Sequence, residues 1–246
     1  MSLYYVAAND IPPSSMTDKC IVLDLDQTLI ATQNKIGSLK KMGIMKDPKL
    51  MALRNRTYYL TIEDLEAKGD GTKYDFWGIT RPHVEEFLIF CFSYFKVVAV
   101  WSAGDRLYVE AIVDHIFRRI KYPNIIYSAD DTIWTEDKDP EKPLVKICEE
   151  LKQYMNLSNT IIVDDNISNF TPNPENGILI PAYEPPLNGD AMMRDEHSLL
   201  QIKYWLLQPE VHDSKDVRKL NKKDIFKTSV ETYKTKLMPV QGYRFT

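Results

Sequence analysis

A chain of 246 residues, 44% hydrophobic, 27% charged and 11% aromatic, holds enough apolar material for a sizeable core and one large domain, which excludes disorder throughout and collagen-like or coiled-coil designs. No apolar run reaches the ~20 residues that cross a bilayer; the start MSLYYVAANDIPPSS lacks the regions of a secretory signal; and Cys20, Cys91 and Cys148 are too sparse for a disulfide framework, so the expectation is a soluble cytoplasmic or nuclear protein without a membrane anchor. The net charge of −4 is segregated, with seven basic side chains against one acid over residues 35–56 and nine against four over residues 213–246.

The first apolar run, Cys20-Ile21-Val22-Leu23, is β-branched and nearly continuous, as strands buried on both faces are. It leads directly into Asp24-Leu25-Asp26-Gln27-Thr28. Residues 31–80 are too long for a simple connection. Within them, Thr57–Thr61 and Lys73–Trp77 read as two strands around Gly69-Asp70-Gly71, a hairpin flap. Pro82 to Phe95 has helical spacing, with Val84, Phe87, Leu88 and Cys91 on one face and proline in the first turn. The next strand, Val97–Trp101, ends at Ser102-Ala103-Gly104, and a helix over Asp105 to Ile120 follows, with Leu107, Ile112, Ile116 and Ile120 repeating. Ile125–Tyr127 reads as another strand. Lys142 then precedes a proline-started helix over Pro143 to Met155. Thr160–Val163 runs into Asp164-Asp165-Asn166, Ile178–Ile180 is a last short strand, and residues 195–207 read as a last helix. Beyond residue 208 the chain turns polar and lysine-rich, as a loosely packed basic extension to residue 246 would.

Strands alternating with helices predict an α/β fold with a doubly wound parallel sheet over residues 18–207. In such sheets ligands bind outside the carboxyl ends of the strands. Asp24, Asp26, Asp164 and Asp165 therefore fall at one active-site edge, where crowded carboxylates need a cation, and an all-oxygen donor set suits a hard divalent ion such as magnesium, Mg²⁺. Ser102 and the backbone N–H groups from Ala103 onward offer a phosphate seat before a helix. Lys142 at a helix start opposes the dipole and calls for an anionic partner or solvent; Lys146, one turn later, is its competitor. Each piece has a plainer reading as a turn cap or a surface charge, and it is their order along the chain that carries the argument. A response-regulator receiver would place its phosphorylated Asp after the third strand, and none stands there. The scattered histidines and cysteines make no zinc spacing.

In that order the four pieces resemble motifs I to IV of the haloacid dehalogenase superfamily of phosphotransferases. The stretches from Val22 to Leu29, Arg81-Pro82-His83-Val84-Glu85-Glu86-Phe87-Leu88 and Ile162 to Asn166 are similar to the small RNA polymerase II C-terminal-domain phosphatases, the NLI-interacting-factor-like type. Motif II reads Ser-Ala-Gly where that family often has Thr-Ala-Ser, and motif IV reads Asp-Asp where it usually has Asp-Asn. The resemblance implies a Mg²⁺-dependent phosphatase. Asp24 would be the nucleophile forming an aspartyl-phosphate and Asp26 the acid and then base. Ser102, Ala103 and Lys142 would bind the phosphate. Asp24, the Asp26 backbone carbonyl and Asp165 would take the metal, with Asp164 orienting the lysine or a metal-bound water. His83 is expected to be non-catalytic, and Thr28 to brace the turn. The implied substrate is a phosphorylated protein or peptide, on Ser or Thr. A small-metabolite or nucleic-acid-end phosphatase and a non-catalytic binding module on the same fold are the alternatives.

Overall fold

All four residues of Cys20–Leu23 are buried, in a strand, β1, that lies in the middle of the sheet. The structure is a computed structural model and describes residues 15–65 and 69–237. Residues 1–14, which hold nearly all of the stretch read for a targeting signal, residues 66–68 of the flap, and residues 238–246 of the basic extension lie outside the described residues. After β1 (Cys20–Leu23) come β2 (Ile30–Gln33), α1 (Ile36–Met42), α2 (Met51–Arg54), β3 (Thr57–Glu63) and β4 (Lys73–Thr80). The chain continues through α3 (Val84–Tyr94), β5 (Val97–Trp101), α4 (Arg106–Phe117), β6 (Ile125–Tyr127) and a short hairpin, β7 (Ile133–Trp134) and β8 (Pro140–Glu141). It closes with α5 (Leu144–Glu150), β9 (Thr160–Asp164), β10 (Gly177–Leu179), α6 (Gly189–Met192), α7 (Ser198–Leu206), α8 (Pro209–His212) and α9 (Val230–Leu237).

Five parallel strands form the central sheet in the order β10-β9-β1-β5-β6. From β1 the chain builds outward to β5 and β6, then returns on the other side of β1 for β9 and β10. This reversal leaves β1 flanked by β9 and β5, with Leu23 level with Val163 on one side and Val100 on the other. The residues just beyond these three positions therefore share one edge, at the switch point where open α/β sheets bind ligands.

Alternation along the strands fills two cores. Ile21, Leu23, Val98, Val100, Ile161 and Val163 pack with residues of α3, α4 and α7. Cys20, Val22, Val97, Ala99, Trp101 and Ile162 pack with Leu144, Ile147 and Cys148 of α5. Two helices start later than their prolines suggest. His83 adopts a left-handed backbone at φ 65°, so α3 begins at Val84, and Pro143 is extended and precedes α5 instead of entering its first turn.

The insertion is larger than a hairpin. β2 joins the predicted pair to make an antiparallel sheet, β2-β4-β3. Trp77 is fully buried beneath α1 and donates its indole N–H to the Lys35 carbonyl at 3.1 Å. Two of the seven basic side chains of 35–56 are structural: Arg54 donates to the carbonyls of Ile44 and Asp47, and Arg56 to those of Thr80 and Met192.

The segment after residue 208 corrects the expectation of loose packing. Val211, Val217, Ile225 and Tyr233 are buried and join the main core. Tyr233 donates to the Ile225 carbonyl at 3.1 Å, and Lys222 donates to those of Glu175 and Val217. Most of its lysines and aspartates turn outward while single apolar residues plug in at wide spacing, a pattern that periodicity does not register.

Candidate active site

Beyond Leu23 the chain leaves the sheet at once. The backbone N–H groups of Leu29 and Ile30 both bond to the Leu25 carbonyl, and Gln27 is left-handed at φ 59°. This tight turn separates the two motif acids. Asp24 stays at the sheet edge, 5% exposed, whereas Asp26 swings away and accepts a hydrogen bond from the Tyr108 hydroxyl at 2.6 Å.

Lys142 occupies the centre of the edge with its ammonium fully buried. Nζ donates to Asp24 Oδ1 and to Asp164 Oδ2, both at 2.7 Å. Of the two ways to satisfy a lysine before a helix, an anionic partner or solvent, the structure supplies the anion. An ammonium has three donors, so one remains for a ligand. Lys146 sits elsewhere, donating to Asp131 Oδ1 at 3.1 Å and lying over the Tyr127 ring. Burial works to lower the Lys142 pKa, but the two carboxylates outweigh it and the net shift is upward. Burial pushes Asp24 up, opposed by Lys142 and reinforced by Asp164. Asp26 and Asp165 are also raised, in both cases chiefly by burial.

Asp164, fully buried at the end of β9, is held from both sides: its Oδ1 accepts from the Asn169 side-chain amide at 2.7 Å and from the Asn166 backbone N–H at 2.9 Å. Asp165, half-buried, accepts from the Thr28 hydroxyl at 3.3 Å. Ser102, buried at the end of β5, accepts from the Gly104 backbone N–H at 3.1 Å, which leaves its own hydroxyl hydrogen to donate. Ala103 is next along the turn and is half-buried. His83 lies apart, against Glu86 and the ring of His197.

Oxygens of Asp24, Asp164 and Asp165 all lie within 4.8 Å of one another, and among the described residues they form the one group of three or more ligand-type side chains so placed. No histidine or thiolate belongs to it. Three carboxylates at this spacing, with a single lysine to neutralise them, fit a hard divalent cation. The Asp26 carboxylate is not in the group.

Tyr108, Thr32 and Asn169 had no place in the sequence reading. Tyr108 was masked because the spacing of α4 put Leu107 on the buried face, yet Leu107 is exposed and Tyr108 points inward. Asn169 reaches Asp164 through one turn of 3₁₀ helix, a distance that no strand or helix period marks. Tyr108 and Asp26 also line a cleft of about 390 Å³ with Thr32, Gln33, Leu65 and Phe76. No helix among the described residues is long and apolar enough to cross a membrane.

The chain is similar to several known proteins in sequence and in fold. The ubiquitin-like domain-containing CTD phosphatase 1 of Xenopus tropicalis is 25% identical over 229 residues, covering 86% of this chain and 69% of that protein. Its Homo sapiens counterpart is 28% identical over 137 residues, covering 52% and 41%. Among solved structures, Fcp1, described as an essential RNA polymerase II CTD phosphatase, matches with a TM-score of 0.56 at 15% identity. The match covers 88% of this chain but 61% of that one, so this chain spans under two thirds of the length of that solved chain. A fission yeast Fcp1 variant bound to beryllium fluoride gives 0.55 at 16% identity, covering 88% and 62%. The family model for NLI interacting factor-like phosphatases matches residues 19–218, and the chain belongs to that family.

Proposed function

We propose that this phosphatase removes phosphate from phosphoserine or phosphothreonine in a protein or peptide, through a phosphoryl-enzyme intermediate on Asp24. The observation that carries the reading is the buried Lys142 ammonium bridging Asp24 and Asp164 while Asp26, two residues on, faces away. One carboxylate is thus oriented to attack and another is set apart to move protons. An Asp24 oxygen forms the new bond to phosphorus as the ester P–O bond breaks, and Asp26 gives its proton to the leaving oxygen. Water then attacks phosphorus, Asp26 takes its proton, and the bond to Asp24 breaks to release phosphate. The upward shift of Asp26 suits a group that must donate first and accept second. Ser102, the Ala103 N–H and the third donor of Lys142 hold the non-bridging oxygens, where charge concentrates. Asp24, Asp165 and the backbone carbonyl of Asp26 would hold Mg²⁺, with Asp164 orienting Lys142. When bound, the ion supplies positive charge to offset the carboxylates and the phosphate.

A panel of phosphopeptides, sugar phosphates and 3′-phosphorylated oligonucleotides, assayed with Mg²⁺ and again in EDTA, tests the reading. Phosphopeptide turnover that EDTA abolishes, Mg²⁺ restores and Asp24→Asn eliminates is expected. The expected loss in that variant is about 10³-fold or more, with no phosphoryl adduct on the Asp24 peptide by mass spectrometry. Preference for sugar phosphates or oligonucleotides overturns the substrate class. Full activity in chelator overturns the metal.

A further inference from the structure

The contact between Tyr108 and Asp26 is the last link of a longer chain. The Tyr108 hydroxyl lies 2.6 Å from Thr32 Oγ1, and Thr32 Oγ1 lies 2.7 Å from the Tyr58 hydroxyl. Each hydroxyl has one hydrogen. Tyr108 spends its hydrogen on Asp26 Oδ1, so it accepts from Thr32, and Thr32 in turn accepts from Tyr58. The three donors come from three elements, α4, β2 and β3, the last two belonging to the flap. Tyr108 and Tyr58 are 8% and 3% exposed, so little water competes for these bonds. The flap backbone is shaped around the chain as well: a Cβ at Gly78, on the neighbouring strand β4, would fall 2.3 Å from the Tyr58 ring and hydroxyl.

We propose that Tyr108 is a positioning residue for the acid–base chemistry of Asp26, and that Thr32 and Tyr58 set Tyr108 from the flap. The inference rests on the reading of Asp26 as the proton carrier. With Oδ1 committed to Tyr108, the proton that passes to the leaving oxygen resides on Oδ2, and the proton taken from water returns there. The flap thereby reaches into the proton-transfer step without touching the phosphate.

The test compares leaving groups. Alcohols such as serine need a proton as they depart, whereas a phenolate needs almost none. Single-turnover release of the leaving group reads this first step alone. Tyr108→Phe keeps the ring and removes only the link; it is expected to slow release from a phosphoserine peptide by about 10-fold and from an aryl phosphate by about 2-fold, with KM little changed. Thr32→Val removes the middle hydroxyl at equal size and is expected to follow in the same direction with a smaller loss. It decides the matter should Tyr108→Phe fail to fold, which thermal unfolding reports. An equal loss on both substrates, or a change in KM alone, makes Tyr108 a wall or a strut and overturns the proposal. If the unaltered protein releases neither leaving group, the phosphatase reading itself has failed; if it turns over normally and the variants leave the ratio unmoved, only the Tyr108 assignment has.

Discussion

At the carboxyl edge of the central sheet, Lys142 and Asp164 are fully buried and Asp24 is 5% exposed, whereas the flap beside it buries Trp77, Ile79 and Tyr58 and turns Met45, Met51 and Tyr59 out to solvent. The edge encloses charge and the flap encloses apolar and aromatic bulk. Burying charged groups is costly unless each is paired, and exchanging such pairs for apolar packing is often neutral or stabilising. The edge is therefore organised for chemistry on a frame that the parallel ladders hold in register. The flap is held by packing. Losses of rate should concentrate at the edge, and losses of stability and of substrate attraction in the flap.

The two lysines of the α5 region break this comparison most directly. On the proposed mechanism, Lys142→Ala should reduce kcat/KM by about 10²-fold or more, since it removes a charge that would hold the transferring phosphoryl. It also leaves Asp24 and Asp164 facing each other without a counter-charge. Lys146→Ala removes a half-exposed contact to Asp131 and should change kcat/KM by about 2-fold or less. Steady-state kinetics on one phosphopeptide, with unfolding midpoints measured in parallel, separates them. A damaging Lys146→Ala beside a mild Lys142→Ala would move the catalytic lysine one turn along the chain.

The edge was legible in the sequence because its acids directly follow β-branched runs, and a parallel sheet brings such strand ends together. Lys142 stood out because a cation before a helix needs an anion or solvent, and the sheet edge supplies the anions. What stayed hidden depends on contacts without a period. Tyr108 sits one residue from a leucine that fitted the helical repeat better, and Thr32 lies on a strand concealed inside the insertion. The buried plugs of the last segment, Val211, Val217, Ile225 and Tyr233, are six to eight residues apart, the first three on single turns of helix and the last on α9, so composition alone marked the segment as loose.

Trp77 sharpens the other half of the comparison. Its truncation to alanine should cost about 3–5 kcal/mol, the usual range for a buried tryptophan. The loss should fall on the flap: hydrogen exchange ought to quicken first over β3 and β4 while the amides of β1 and β9 keep their protection. Equal quickening in both sheets would show that the flap and the central sheet open as one unit.

Arg81 joins the two regions. It follows β4, is 1% exposed, and donates to both Glu196 oxygens and to the carbonyls of Thr28 and Pro181, gripping the turn that carries Asp26. Burial would raise the Glu196 pKa, but the hydrogen bonds and charge of Arg81 prevail and hold it below its ordinary 4.5. The folded state thus binds the Glu196 proton less readily than the unfolded chain. Its contribution is complete above pH 4.5 and fades as the pH falls through the lower folded value. Stability measured from pH 6 down to pH 3 should fall less steeply in Glu196→Gln than in the unaltered protein. Parallel slopes would mean that this pair does not couple folding to protons.

The smallest effect is expected from the outer face of the flap. Lys40 and Lys41 lie in the last turn of α1, and Lys46 follows it, all exposed or half-exposed. Charges in this setting act through the field and are screened over about 8–10 Å at physiological salt. Replacing the three together with glutamine should raise KM for a phosphopeptide by a few-fold at low salt, flatten its dependence on ionic strength, and leave kcat unchanged, because attraction acts before the chemical step. An equal loss in kcat would bring these lysines into the chemistry and erase the division between edge and flap. An unchanged KM at low salt would confine the division to packing, with the lysines serving only to keep the surface of the flap wet.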